Sequence, residues 1–302
     1  MNNNNTVTKS IDLSKFDSHQ KLALSSRRFI KFLSTSGQER AEACGSYLVF
    51  TRWRHMTTSE ILHSLSNANF CKHRLCVMCQ WRQSVRVMAE ILAKLDLIKK
   101  DYRAIFVTLT VRNPEIENLR ETVQKMSKAW NRFIKMKEIQ QMNFAWFRAI
   151  EFLGDHTKEG EAHPHYHVLM LVNKSYFKSR YYLSQFRIQE LWRKALNDGN
   201  NGIANVKCVK ATNLNFIEAI NKAVLEVSKY SVKASSVEAM SDSDLAEFMS
   251  QIKGLRKYAF GGLLKELEPS HEDLSAYVKE AIERFHYQQS EGKYILSKIE
   301  KI

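Results

Sequence analysis

The segment 163–170, with the sequence HPHYHVLM, restricts the fold of this chain more than any other. Side chains alternate between the two faces of an extended strand, so His163, His165 and His167 share one face. Tyr166, Val168 and Met170 point to the opposite face and can pack on a core. Pro164 cannot donate a ladder hydrogen bond, so strand pairing is expected to start at about His165. The segment predicts a strand with one polar face and one buried face.

Neutral imidazoles two residues apart on one strand face are well placed to share a divalent metal ion. A histidine-rich loop that leads into an ordinary strand is the alternative. A second strand pattern covers about 144–152, and only a short polar turn separates it from the histidines. These two strands are expected to form a hairpin, which places Glu151 across from the histidine face. Strand parity by itself leaves all three histidines open as ligands.

Helical and strand patterns alternate along the rest of the chain. The helical patterns cover 81–100, 116–136, 183–196, 215–234 and part of 235–253, and the remaining strand patterns cover 104–111, 203–209 and 257–262. This order predicts an α+β fold in which helices pack on one face of an antiparallel sheet. The other face of such a sheet can stay polar and carry a site.

A cysteine cluster predicts a second metal site upstream of the sheet. Cys76 and Cys79 form a CxxC knuckle, in which two thiolates and local backbone N–H groups can wrap one tetrahedral ion. The candidate zinc ligands are Cys44, Cys71, Cys76 and Cys79. His73 or His55 can substitute for one of them, and four buried cysteines with no special role are the alternative to a site. The remaining cysteine, Cys208, is expected to pack within a strand.

The charge of the chain favours a polyanionic partner. Its 302 residues carry a formal net charge of +14, which makes nucleic acid the first candidate. A soluble protein that is merely basic is the alternative. The polar start and the lack of a long apolar run predict a cytoplasmic protein with no membrane partner. The candidate DNA contacts, unranked, are Arg52, Arg54, Arg74, Arg82 and Lys207.

A third group of polar residues lies in the helical pattern at 215–234. Glu226, Tyr230 and Lys233 are spaced at i, i+4 and i+7, so they share one helix face. Lys233 can stabilise a phenolate or phosphate oxygen, and Glu226 can accept a proton from water. Tyr230 can then act as a nucleophile. An ordinary solvated helix face shows the same spacing, so this pattern alone does not distinguish the two.

Three segments occur together in a known order: FVTLT at 106–110, HPHYHVL at 163–169 and KYSVK at 229–233. In order and spacing they resemble the three motifs of plasmid rolling-circle replication initiators, in the Rep_1 group of HUH endonucleases. The cysteine segment and the segment GGLLKE at 261–266 also resemble that group, so the similarity covers about 71–267. The chain is therefore identified as a member of this group.

The resemblance implies a HUH or RRM-like palm whose His165 and His167 hold Mg²⁺ or Mn²⁺. Glu151 is the candidate third ligand, and His163 is its alternative. Tyr230 would attack a DNA phosphate to form a 5′-phosphotyrosine bond, and Glu226 would activate water at termination. The implied function is site-specific nicking and joining at a plasmid origin. The implied partners are single-stranded or hairpin origin DNA, a host helicase and other replication proteins.

Two other functions remain open on these motifs. A relaxase or transposase with the same metal and tyrosine chemistry is one, and a non-catalytic zinc-dependent DNA-binding protein is the other.

The expected domains are a disordered N-terminus (1–25), a basic region with the four-cysteine zinc module (26–100), a HUH nickase domain (101–267) and a C-terminal helical tail (268–302).

Overall fold

A computed structural model describes residues 7–98, 102–154, 157–197, 202–208, 224, 232, 234–268 and 274–302. The helices in the described residues are α1 (Ser14–Ser25), α2 (Thr35–Glu42), α3 (Val77–Ile98), α4 (Leu119–Phe133), α5 (Lys137–Met142), α6 (Gln185–Leu196), α7 (Ala234–Ala239), α8 (Asp242–Ile252) and α9 (Leu263–Glu266). The strands are β1 (Val7–Thr8), β2 (Tyr47–His55), β3 (Ile61–Ala68), β4 (Tyr102–Thr110), β5 (Asn143–Glu151), β6 (His165–Asn173), β7 (Ile203–Cys208), β8 (Tyr258–Gly262), β9 (Tyr277–Gln288) and β10 (Lys293–Lys301). None of these helices combines the length and the apolar character that crossing a membrane requires.

The chain divides into two compact units. The first unit contains residues 1–89 and 270–302, and the second contains residues 90–269. Each unit has its own five-stranded antiparallel sheet. The α+β class predicted from the order of patterns is therefore confirmed, whereas the sequence predicted only one of the two sheets.

The sheet of the second unit has the strand order β7-β4-β6-β5-β8. Helices α4 and α6 pack on one of its faces, since Tyr166 of β6 contacts Trp130 of α4 and Trp192 of α6 at ring-centroid distances of 6.1 and 6.4 Å. Apolar residues recur every three or four positions along α4, so its buried side chains form one stripe against the sheet. Trp192 also donates its indole N–H to the carbonyl oxygen of Thr110 at 2.9 Å, which ties α6 to β4. The histidines of β6 alternate with Tyr166 and so point away from these helices.

The sheet of the first unit has the order β1-β3-β2-β9-β10, so strands from both ends of the chain lie side by side. The predicted helical tail is wrong for 277–288 and 293–301, which form β9 and β10. Ala281, Glu283 and Phe285 alternate as buried positions on β9. A carboxylate at an inward position hides the period of two, and it is tolerated there because Arg52 donates to Glu283 at 3.3 Å.

Disorder was predicted up to about residue 25, but residues 14–25 form helix α1. Phe16 packs edge-on against Trp81 at 4.8 Å, and the buried Gln20 donates to the carbonyl oxygen of Cys44 at 2.9 Å. Tertiary contacts of this kind stabilise helices whose own sequence gives a weak signal. A 3₁₀ helix over Arg28–Phe32 follows α1.

Replacing Phe285 with alanine tests the packing of β9. Its ring lies 5.8 Å from that of Phe50 on β2, and the residue is 8% exposed. We expect Phe285→Ala to destabilise the first unit by about 3 kcal/mol, because truncating a buried phenylalanine leaves a cavity. Ile299→Ala on β10 is the matched control, since Ile299 is 47% exposed. Hydrogen–deuterium exchange should show lost protection in the first unit for Phe285→Ala alone. Equal protection in the two variants would contradict this packing.

Candidate metal centres

Three side chains on the face of β5 and β6 that points away from α4 and α6 bring their ligand atoms together. The Nε2 atoms of His165 and His167 are 3.1 Å apart. The Oε2 atom of Glu151 lies 3.3 Å from His165 Nε2 and 3.1 Å from His167 Nε2. One ion at about 2.1 Å from each atom can span a triangle of this size, and ligands on one side leave its other positions open. The arrangement suits a divalent ion that also binds water or substrate.

The pairing of β5 with β6 builds this group. In the antiparallel register Glu151 lies opposite His165, and His167 lies opposite Ala149. The hairpin predicted from the sequence is therefore present, and Glu151 occupies the place expected for it. β6 begins at His165, directly after Pro164, which agrees with the loss of a ladder donor at proline.

Backbone contacts fix which nitrogen of His165 faces the group. Its Nδ1–H donates to the carbonyl oxygen of His163 at 2.8 Å. A carbonyl oxygen only accepts, so the proton of neutral His165 is on Nδ1 and the lone pair of Nε2 is free for a metal. For His167, Nδ1 is buried and has no hydrogen-bond partner among the described residues. Phe106 packs beside this ring at 5.4 Å.

The carboxylate of Glu151 is ionised at neutral pH. Burial raises its pKa, but the neighbouring imidazoles of His165 and His167 outweigh burial and bring the pKa down to about 2. An ionised oxygen beside two imidazole nitrogens is a donor set that binds divalent cations. The residues present therefore fit a metal ion at this position.

His163 lies beside the group without joining it. Its ring centroid is 4.8 Å from that of His165, yet its Nδ1 donates to Asn113 Oδ1 at 2.6 Å. Asn113 in turn donates to Glu161 at 3.2 Å, which fixes the orientation of its amide. Burial lowers the pKa of His163. The sequence analysis missed Asn113, although its position three residues after the end of β4 and directly before Pro114 was a usable signal.

The four cysteines of the first unit converge in the same way. Sγ of Cys44 lies 3.6 Å from Sγ of both Cys76 and Cys79, and Sγ of Cys71 lies 3.6 Å from Sγ of Cys79. A tetrahedral Zn²⁺ with bonds of about 2.3 Å places its sulfurs about 3.8 Å apart. A disulfide would need about 2.05 Å, so these distances are those of four separate thiols around one ion. The four residues form a zinc-sized group.

Backbone donors support negative charge on this cluster. The N–H of Cys71 donates to Cys44 Sγ at 3.3 Å, and the N–H of Lys72 donates to Cys79 Sγ at 3.2 Å. Hydrogen bonds among the thiols lower the pKa of Cys71 and Cys76 and raise the pKa of Cys44 and Cys79. The thiols thus share protons, and a bound divalent cation would displace them.

The two histidines considered as replacement zinc ligands have other contacts. His73 stacks on Phe29 at 4.5 Å, and His55 Nδ1 accepts from the backbone N–H of Thr58 at 3.2 Å. Neither belongs to the cysteine group found among the described residues.

Cys208 is exposed on β7, so the expectation that it packs inside a strand is wrong. It is the last residue of that strand.

The third predicted group, Glu226, Tyr230 and Lys233, lies outside the described residues.

The basic residues proposed for DNA contact differ in their surroundings. Arg52 and Arg54 both pair with Glu280 of β9. Lys207 is exposed on β7 and Arg74 is half-buried. Burial lowers the pKa of Arg82 to about 10, and its guanidinium lies 5.2 Å from the ring centroid of Phe16.

Comparison with known proteins places the chain in a family. A sequence model of the Rep_1 family, described as a replication protein, matches residues 62–299. A "Protein rep" of Lentilactobacillus hilgardii is 29% identical over 260 residues, which cover 83% of this chain and 81% of the relative. A "Protein rep" of Bacillus amyloliquefaciens is 31% identical over 255 residues, covering 78% and 73%. One of Streptococcus pneumoniae is 28% identical over 235 residues, covering 76% and 70%.

No solved structure matches this chain. The family match spans most of the chain, including the histidine strand and the hairpin that carries Glu151. The family predicted from three short motifs is therefore confirmed: the chain belongs to the Rep_1 family of replication proteins.

Proposed function

We propose that this protein initiates plasmid replication by nicking one strand of origin DNA and holding the new end covalently. The observation that carries the proposal is the triangle of Glu151, His165 and His167, with sides of 3.1 to 3.3 Å, in a member of a replication-protein family. Replication initiation alone needs only DNA binding. A metal ion held by these three residues on one side would keep positions free for a phosphate, and so would allow the chain to cleave a phosphodiester as well.

The three ligands would hold Mg²⁺ or Mn²⁺, which would polarise the scissile phosphate and stabilise the leaving oxygen. The residues around the ligands prepare this site. The carbonyl oxygen of His163 holds the ring of His165, and the ionised Glu151 supplies the negative charge that attracts the cation. Asn113 holds His163 at the rim, so His163 is a positioning residue.

Tyr230 is the proposed nucleophile. Its phenolic oxygen attacks the phosphorus, the bond from phosphorus to the 3′-oxygen breaks, and the 3′-hydroxyl leaves with a proton. The phosphodiester is exchanged for a 5′-phosphotyrosine of similar energy, so the joining step can run without another energy source. Lys233 would stabilise the phenolate, whose unperturbed pKa is near 10. Glu226 would accept a proton from water when the cycle ends.

This proposal assigns a role to each part of the chain. The catalytic domain at 101–267 would adopt the HUH or RRM-like palm, and the cysteine module at 26–100 would hold Zn²⁺ and support DNA binding. The substrate would be single-stranded or hairpin origin DNA. A host helicase and replication proteins would extend the 3′ end. The antiparallel sheet with one helix-covered face supports the palm.

Metal dependence tests the proposal directly. The protein is incubated with labelled single-stranded origin DNA and Mn²⁺, and covalent adducts are counted after denaturation. We expect His167→Ala and Glu151→Gln to lower adduct formation by at least about a hundredfold. Removing a ligand weakens binding of the ion, so the ion would no longer polarise the scissile phosphate. Calorimetry should show weaker Mn²⁺ binding in the same variants. His286→Ala, an exposed histidine of the first unit, is the matched control.

The outcomes separate the competing functions. DNA binding without an adduct in any divalent ion would support a non-catalytic DNA-binding protein. Unchanged adduct formation in both variants would mean that the triangle is not the catalytic metal site. Adducts with unrelated single strands but none specific to the origin would favour a nickase of the relaxase or transposase type.

A further inference from the structure

A cavity of about 490 Å³ opens at the edge of the sheet of the second unit. Its wall is formed by residues of α3, α4, β5, β8 and α9. Trp146 and Arg148 of β5 lie an odd number of positions from Glu151, so they point to the opposite face of the strand. The cavity is therefore separate from the metal group. Its size falls within the range of small-molecule sites.

Positive charge dominates the wall. Lys94, Arg148, Arg256 and Lys265 line the cavity with Glu90 as the only carboxylate among its lining residues in the described part of the chain. Glu90 lies 3.7 Å from Lys94, whose Nζ also donates to two backbone carbonyls. The charge on Lys94 is thus already compensated. The other three cations have no carboxylate partner among the described residues.

Arg148 is the most unusual of these cations. Its guanidinium lies 4.1 Å from the ring centroid of Tyr166 and 5.2 Å from that of Trp130. One terminal nitrogen, Nη1, is buried and has no hydrogen-bond partner in the part of the chain that the structure describes. The buried indole N–H of Trp130, another lining residue, also has none among the described residues. Buried donors without acceptors are costly, and an arginine held on aromatic faces is suited to an anion.

Aromatic surface completes the cavity. Trp146 and Phe260 line it and are half-buried. The indole of Trp146 lies directly against the backbone of Gly261, where a Cβ would be only 2.1 Å from the ring. The absence of a side chain at Gly261 therefore makes room for the indole. Trp146 also packs edge-on against Trp130 at 4.9 Å. The indole is therefore held as a platform at the mouth of a cationic cavity.

We propose that this cavity binds a single nucleotide. The phosphate would lie against Arg148, Arg256 and Lys265, and the base would contact Trp146 and Phe260. Charge-assisted hydrogen bonds from arginine suit a phosphate, and stacking on aromatic rings suits any base. A bare phosphate would leave the aromatic wall unused. The nucleotide is either free in solution or part of a DNA strand, and only the second case rests on the proposed function.

Calorimetry on the full chain tests this site with four deoxynucleoside monophosphates, a nucleoside and inorganic phosphate. The variant Arg256→Ala/Lys265→Ala removes two exposed cations of the cavity. Lys128→Ala/Lys137→Ala is the matched control, because it removes two exposed cations of the same unit that do not line the cavity. We expect at least one monophosphate to bind about tenfold more tightly than either fragment. The cavity variant should weaken that binding by at least about tenfold, with the control unchanged.

A single-stranded oligonucleotide, added as competitor and also titrated directly, distinguishes the two sources. Competition, with weaker oligonucleotide binding in the cavity variant, assigns the nucleotide to DNA. Monophosphate binding without competition assigns a free nucleotide. Inorganic phosphate binding as tightly as every monophosphate would overturn the proposal. So would unchanged binding of all probes in the cavity variant, or no binding of any monophosphate with unchanged oligonucleotide affinity.

Adduct formation is measured separately. If the wild-type chain forms no adduct but binds the nucleotide, nicking is refuted and the cavity assignment still stands.

Discussion

Tyr230→Phe is expected to lower covalent adduct formation by at least about a thousandfold, because it removes only the phenolic oxygen that we propose as the nucleophile. The adduct is measured as labelled DNA that stays with the protein after denaturation. Binding of Mn²⁺ and of origin DNA should be unchanged, since the phenolic oxygen is not a proposed metal ligand. Activity would thus be lost while the metal ion and the DNA still bind.

The chain contains 11 tyrosines, so a matched control is needed. Tyr182→Phe serves, because Tyr182 is 51% exposed in the second unit and lies outside the metal group. Its adduct yield should equal that of the wild type. An adduct that persists in Tyr230→Phe would place the nucleophile on another side chain, which peptide mapping of the adduct would identify.

Replacing Cys76 or Cys79 with serine is expected to release the zinc ion and unfold much of the first unit. The apparent binding energy of structural Zn²⁺ in small modules is about 10 kcal/mol or more, which is comparable to the whole stability of a single domain. Elemental analysis should show about one equivalent of zinc in the wild type and little in either variant. Hydrogen exchange should accelerate through β2 and β3, which share the first unit with the four cysteines.

Cys208→Ser is the control for this experiment, because that thiol is exposed on β7 of the second unit. Its zinc content and exchange pattern should match the wild type. Equal zinc content in all three variants would show that the 3.6 Å sulfur contacts do not mark a metal site.

The second unit could be predicted well because its signals are local. Apolar residues at helical spacing predicted α4, and the alternation in 163–170 predicted β6 with its open histidine face. The position of Glu151 followed from a short hairpin, in which the register is set by residues close in sequence. The zinc group was equally accessible, since three of its four cysteines lie within nine residues.

The first unit was harder because its contacts join distant parts of the chain. β2 pairs with β9, and Arg54 bonds to Glu280 across 226 positions. No local sequence pattern predicts a pairing between segments so far apart. The buried Glu283 also interrupts the alternation of apolar and polar residues that would identify β9 as a strand. The cavity was missed for a different reason. Arg148 stood as a lone charge inside an apolar strand, which was a visible signal, but its partners Arg256 and Lys265 are more than 100 positions away.

The pairing of β2 with β9 also has a consequence for synthesis of the protein on the ribosome. β2 ends at His55 and β9 begins at Tyr277, so its partner strand is translated 222 positions later. At elongation rates of about 5 to 20 residues per second that delay is on the order of 10 to 45 seconds. The second unit is contiguous at 90–269 and is complete before then. The four clustered cysteines at 44–79 also emerge early, so an ion bound to them would stabilise the start of the first unit before its last two strands are translated.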